Sequence, residues 1–178
     1  MSTRLALSRA YPHGVPAFAA ALADPEFHRV KLDVDGTGRI ELVAFERHDP
    51  DDASGRGHRV RVVLRQPVPP GQVPAVVEPL LSGMLVIERT EEWRLTPGRC
   101  DGRVQVSVSG TPISADGTMT VTPEEPGGSR LTVDLAITAA VPLLGGGIES
   151  AVVSGIRGLT GTEHDRISRW LAGDGRAG

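Results

Sequence analysis

Six stretches of alternating apolar and polar residues, followed by one long stretch of helical period, limit the folds open to this chain more than any other feature. The alternating stretches are residues 40–46, 58–66, 85–95, 103–109, 113–122 and 130–139. A period of two places every second side chain on one face, so each stretch reads as a strand with one buried face. Between them lie Pro97-Gly98, Ser109-Gly110-Thr111-Pro112 and Pro126-Gly127-Gly128, which are turn chemistry and predict antiparallel neighbours joined as a meander. The acidic run from Asp49-Pro50-Asp51-Asp52 to Gly57 reads as another solvated turn. From residue 147 to 172 the period changes to 3.6, with Ile148, Val152, Ile156, Leu159, Ile167 and Trp170 on one side of a helical wheel.

The N-terminal part completes the pattern. Residues 3–9 alternate, with Leu5 and Leu7 on one face, and predict an opening strand. After the turn Tyr11-Pro12-His13-Gly14, the spacing of Val15, Phe18, Ala19, Leu22 and Phe27 predicts two short helices separated at Asp24-Pro25. The segment 69–81 carries Val73, Val76, Val77, Leu80 and Leu81 among prolines and reads as a short helix or lid over the sheet. This order predicts an α+β domain of helix-grip form: a curved antiparallel sheet of about seven strands wrapped around a long C-terminal helix, with two short helices after the first strand. With 178 residues, one domain over 1–173 and a short flexible tail over 174–178 account for the chain.

Composition narrows the function classes. The chain has six aromatic residues among Trp, Tyr and Phe and a net charge of −3, so neither stacking platforms nor a phosphate-seeking field points to nucleic acid. No apolar run approaches the roughly 20 residues needed to span a bilayer, so no integral membrane segment is expected. The single Cys100 rules out an internal disulfide framework and fits a cytoplasmic protein; it follows Pro97-Gly98-Arg99 and is placed in a hairpin loop. His13, His28, His48, His58 and His164 are scattered, which argues against a metal site, and no cofactor fingerprint or nucleophile elbow is found. The basic residues are arginines apart from Lys31.

Several segments together resemble the START-like (SRPBCC, polyketide cyclase/dehydrase and lipid transport) superfamily, and within it most closely a bacterial family of uncharacterised function. They are Tyr11-Pro12 leading to Leu22-Ala23-Asp24-Pro25-Glu26-Phe27, then Val86-Ile87-Glu88-Arg89-Thr90-Glu91, Pro142-Leu143-Leu144-Gly145-Gly146 and Glu163-His164-Asp165. The resemblance implies a helix-grip fold with a hydrophobic ligand cavity. Its members range from lipid carriers to cyclases, so the activity has to be argued from residues.

The cavity wall is expected between the sheet and the last helix. Its sheet side is assigned to Val60, Val62 and Leu64, then Ile87 and Trp93, Val104 and Val106, Met119 and Val121, and Val133 and Leu135. Its helix side is assigned to Val152, Ile156 and Leu159. Arg89 and Glu91 share a strand face with Ile87 and Trp93 and are expected inside. Glu163 falls within the apolar arc of the helix and needs a cationic partner there, for which Arg89 is the first candidate; His164 lies just outside that arc and reads as a surface or interface residue. Gly155, Gly158 and Gly161 soften the same helix. The expected function is non-catalytic binding or carriage of a hydrophobic or amphipathic small molecule, lipid-like or polyketide-like. Two alternatives stay open: a cyclase/dehydratase-type enzyme with Glu163 as acid/base, and a protein-interaction module without ligand. Oligomeric state is left open.

Overall fold

The computed structural model describes residues 2–33, 39–49, 57–68, 85–141 and 145–173. The segment 69–81, the turn residues 50–56, the motif residues 142–144 and the tail 174–178 lie outside the described residues. In chain order the elements are β1 (Thr3–Tyr11), α1 (Val15–Leu22), α2 (Pro25–Leu32), β2 (Glu41–His48), β3 (His58–Val68), β4 (Leu85–Leu95), β5 (Cys100–Val108), β6 (Ile113–Glu124), β7 (Gly128–Ala139) and α3 (Gly145–Leu171). The seven strands form one antiparallel sheet in the order β1-β7-β6-β5-β4-β3-β2. The curved sheet grips α3, as the alternation and the final change of period predict.

Local chemistry fixes the ends. The Asp24 carboxylate accepts from the backbone N–H of Glu26 at 2.9 Å, so Asp24-Pro25 is the N-cap and first turn of α2 as well as the break after α1. The backbone N–H of Thr96 donates to the carbonyl of Arg99 at 2.9 Å and closes a tight turn. The next strand therefore starts at Cys100, paired with Leu95. This corrects the loop placement of Cys100: its side chain is buried, and burial pushes the thiol up to about 11, which leaves it unreactive.

Curvature has two visible sources. A bulge between Leu42 and Ala44 bends β2 at the sheet edge. At Gly117 a Cβ would stand 1.9 Å from the Asp134 carbonyl, a backbone approach between β6 and β7 that only glycine permits.

Packing divides the interior. The main core joins α1, α2 and the C-terminal end of α3 to β3, β4, β5 and β6, with Phe18, Phe27, Val60, Val62, Leu64 and Val121 among its buried members. Smaller clusters seat the other end of α3, one on Leu85, Ile113 and Ala139 and one on Leu5, Ala115 and Ile137. The helix is thus held at its ends, by Ile148 and Glu149 near the start and by Ile167 and Trp170 near the finish. Glu149 makes the first attachment polar, accepting from the Thr3 hydroxyl at 2.8 Å and from the Ala139 backbone N–H at 3.1 Å. No residue from 150 to 159 is fully buried.

Candidate functional site

The inward face of β4 is decided by one side chain. Glu91 is fully buried, and strand alternation puts Arg89, Trp93, Leu85 and Leu95 on its side of the sheet. Its carboxylate accepts from Lys31 Nζ at 2.8 and 2.7 Å, one bond to each oxygen, and from Trp93 Nε1 at 2.8 Å. Arg89 Nε lies 2.7 Å from Glu91 Oε1 as an ion pair, although the contact lacks the alignment of a hydrogen bond. Burial alone would raise the Glu91 pKa, but Lys31, Arg89 and His28 outweigh it and hold the carboxyl well below the usual range.

Lys31 and His28 reach Glu91 because they stand three residues apart on α2 and therefore share a helical face. Lys31 is only 4% exposed, and burial pulls its ammonium below the usual lysine range against the attraction of Glu91. His28 is fully buried; its Nε2 donates to the Leu22 carbonyl at 2.9 Å, which fixes the tautomer. Its Nδ1 faces Glu91 Oε2 at 3.7 Å without a hydrogen-bond partner. Burial lowers the His28 pKa to about 4, with Lys31 adding to the shift.

Beside this cluster, under the loosely packed middle of α3, lies a cavity of about 90 Å³. Trp93, Val104, Val106, Met119, Val133 and Leu135 line its sheet side as expected from sequence. On the helix side Ile156 and Glu163 line it as expected, joined by Thr160 and His164. Tyr11, Phe18 and Phe27 close one side, and the exposed Ser8 and Arg9 of β1 mark its mouth.

Several expected wall residues are elsewhere. Val60, Val62, Leu64 and Val121 are packed in the main core. Ile87 and Val152 pack against the small cluster at the start of α3. Glu91 is sealed by its partners behind Arg89 and Lys31, which do line the cavity. Leu159 is 52% exposed, a correction to its place on the inner face. Successive helical residues are about 100° apart, and Thr160, 9% exposed, turns inward in its stead. The Thr160 hydroxyl is satisfied by donating to the Ile156 carbonyl at 2.8 Å.

Two further placements need correction. Glu163 does face inward, half-buried, but no ion pair closes between it and Arg89; the near carboxylate of Glu91 takes the guanidinium instead. Glu163 still acts on Arg89 electrostatically: burial opposes the Arg89 charge, and Glu91 and then Glu163 overcome it, so its pKa is raised. His164 is half-buried and lines the cavity rather than standing free on the surface. Its ring lies 4.8 Å from that of Tyr11, and its buried Nδ1 has no hydrogen-bond partner. Burial, with Glu163 second, raises the Tyr11 pKa, so its hydroxyl stays protonated.

Sequence reasoning missed Tyr11, His28, Lys31 and Glu149. Lys31 carried a signal, since it is the one lysine among 19 basic residues and sits at helical spacing from Phe27. Tyr11 closes the strand whose inner face begins with Leu5 and Leu7, so extending that alternation would have placed it inside.

Chemically, the cavity joins an apolar floor to a guanidinium and a carboxylate on opposite walls. Among the described residues, no group of His, Cys, Asp or Glu is arranged to hold a metal ion, and no helix is long and apolar enough to cross a membrane.

Solved structures share the fold over nearly the whole chain. TTHA0849 from Thermus thermophilus is 16% identical with a TM-score of 0.57, covering 96% of this chain and 98% of that one. A conserved protein from Geobacillus kaustophilus is 14% identical with a TM-score of 0.55, covering 96% of each. Norcoclaurine synthase from Thalictrum flavum is 13% identical with a TM-score of 0.53, covering 97% of this chain and 87% of that one. In sequence, the uncharacterized protein Rv0481c of Mycobacterium tuberculosis is 28% identical over 134 residues, which are 74% of this chain and 77% of the relative. The fold is therefore shared with these structures. Residues 6–171 match the profile of the protein family of unknown function DUF2505, and the chain belongs to that family.

Proposed function

We propose that this domain binds a hydrophobic or amphipathic small molecule between its sheet and α3, without covalent chemistry of its own. The observation that carries the reading is the gap left beneath a helix that is fully buried only near its ends, its middle making partial contact through Val152, Val153 and Ile156. A packed core of this size would have closed it, because interiors are normally filled to crystal density. At about 90 Å³ the cavity is smaller than the roughly 300–1,000 Å³ of sites that enclose drug-sized ligands, so a lipid-like guest requires the middle of α3 to lift. The partial exposure of residues 150–159 and the glycines at 155, 158 and 161 favour that movement.

The test is saturable binding of prodan, a neutral amphipathic naphthyl ketone, followed by its emission shift. Native mass spectrometry of the freshly purified protein looks for a copurifying ligand in parallel. Ile156→Trp should fill the cavity and abolish prodan binding while the fold is kept. Binding that never saturates, or that survives Ile156→Trp unchanged in a folded protein, removes the reading.

An enzymatic reading is favoured by one observation, the half-buried Glu163 facing the cavity beside Tyr11 and opposite Arg89. It requires turnover of a carbonyl compound that Glu163→Gln abolishes without loss of binding.

A further inference from the structure

The fixed charges around the cavity settle what kind of head group it can accept. Lys31 and Glu91 are in direct contact, with both carboxylate oxygens within hydrogen-bond distance of the ammonium. Arg89 shares that carboxylate through Nε, and of its terminal nitrogens Nη2 finds only the thioether of Met119, at 3.8 Å. A thioether is a weak acceptor, so the guanidinium keeps donors for a guest. Its side chain is 22% exposed, and it is one of the groups lining the cavity. Across the cavity, Glu163 closes no ion pair among the described residues and keeps acceptors for a guest.

Two cations and two anions therefore stand around this space, and they balance. His28 lies behind them and is uncharged at neutral pH, since burial lowers its pKa to about 4. Arg9 stands at the exposed mouth, where water weakens its field, although that field still reaches Tyr11. A guest bearing a net charge would face an opposed like charge, Glu163 for an anion and Arg89 for a cation, in a half-enclosed space where that repulsion is poorly screened. A purely apolar guest would leave both Arg89 and Glu163 dehydrated and unpaired.

We infer that the cavity selects an uncharged polar head that carries an acceptor for Arg89 and a donor for Glu163, as in a carboxamide or a hydroxy-ketone, with its apolar part against the sheet. The buried Nδ1 of His164 offers a third, adaptable contact at the same end. This inference rests on the ligand-binding reading above and gives it a chemical class.

Calorimetric titration of the full chain with octanamide, octanoate and octylammonium at pH 7 tests it, with prodan as the control for the cavity itself. Octanamide is expected to bind at least tenfold more tightly than either charged probe. Glu163→Gln removes one negative charge and should raise octanoate affinity about tenfold relative to octanamide, and a circular dichroism melt checks that this helix variant is folded. Octanoate binding as tightly as octanamide to the unaltered protein overturns the inference, whatever the variant does. Prodan binding with no preference for the amide, including no measurable binding of any of the three probes, also overturns it and leaves the cavity standing. Failure of prodan together with all three probes removes the cavity reading and this inference with it.

Discussion

Glu91 is the residue on which the interior charges converge, and its loss would leave Lys31 buried without compensation. Glu91→Gln is expected to cost about 3–5 kcal/mol of stability, measured by chemical denaturation, because a broken buried pair leaves the surviving charge unpaired. Its neighbour His28 makes stability depend on pH. In the unfolded chain the ring titrates at its usual 6.5, while in the folded protein it resists protonation down to about 4. As pH falls through that window the unfolded chain gains a proton that the native state refuses, so stability drops by on the order of 3 kcal/mol. Below about 4.5, the usual value for its carboxyl, Glu91 adds a second loss of the same sign. Thermal melts from pH 7 to 4 should show His28→Gln with a shallower decline than the unaltered protein; parallel curves would exclude His28 as the source. The inward placing of Arg89 and Glu91 was legible from strand alternation alone. Their partners were not, for two reasons. Lys31 comes from a helix 60 residues away in sequence, which no local period reports. The helical wheel points Glu163 towards Arg89, but Glu91, two positions along the same strand face, is closer and takes the guanidinium.

At the scale of the element, α3 is a helix supported like a beam at two ends. Its start rests on Ile148 and Glu149, its finish on Ile167 and Trp170, and the glycines at 155, 158 and 161 fall in or just after a middle that makes only partial contact through Val152, Val153 and Ile156. A Cβ added at any of these three glycines meets nothing within 4 Å, so close approach by a neighbouring element does not explain them. Replacing each by Ala should stabilise the fold by up to about 1 kcal/mol per site through helix propensity. If the soft middle admits the ligand, the triple variant should also slow prodan association by stopped-flow more than it changes Kd. Faster melting of the triple variant would contradict the open space around the glycines. The helical period of this segment was plain in the sequence because 27 residues give it many turns. Leu159 was misplaced because a wheel locates a face only to within one residue's rotation, and the choice between Leu159 and Thr160 is made by how the helix lies on the sheet.

For the whole molecule, the architecture was legible because the three turns from β4 to β7 are three or four residues long, and short turns force sequence neighbours to pair. The cavity was not, since the same alternation builds core and cavity wall: Val60 and Val62 are packed solid, while Val104 and Val106 look into the gap. The division depends on where two short helices and the end of α3 cover the sheet and where they leave it uncovered. A different consequence follows from Lys31, the only lysine in the chain and one almost wholly out of contact with water. Its ε-amine can meet a bulky water-borne acylating reagent only when the domain opens. Acylation of Lys31, read by peptide mass spectrometry against time, is expected to run orders of magnitude slower than in the unfolded chain and to accelerate in Glu91→Gln. Labelling at the rate of a free amine would show that the ion pair does not hold in solution. The chain thus carries a single-site chemical clock of its own opening, wound by the same contact that neutralises its interior.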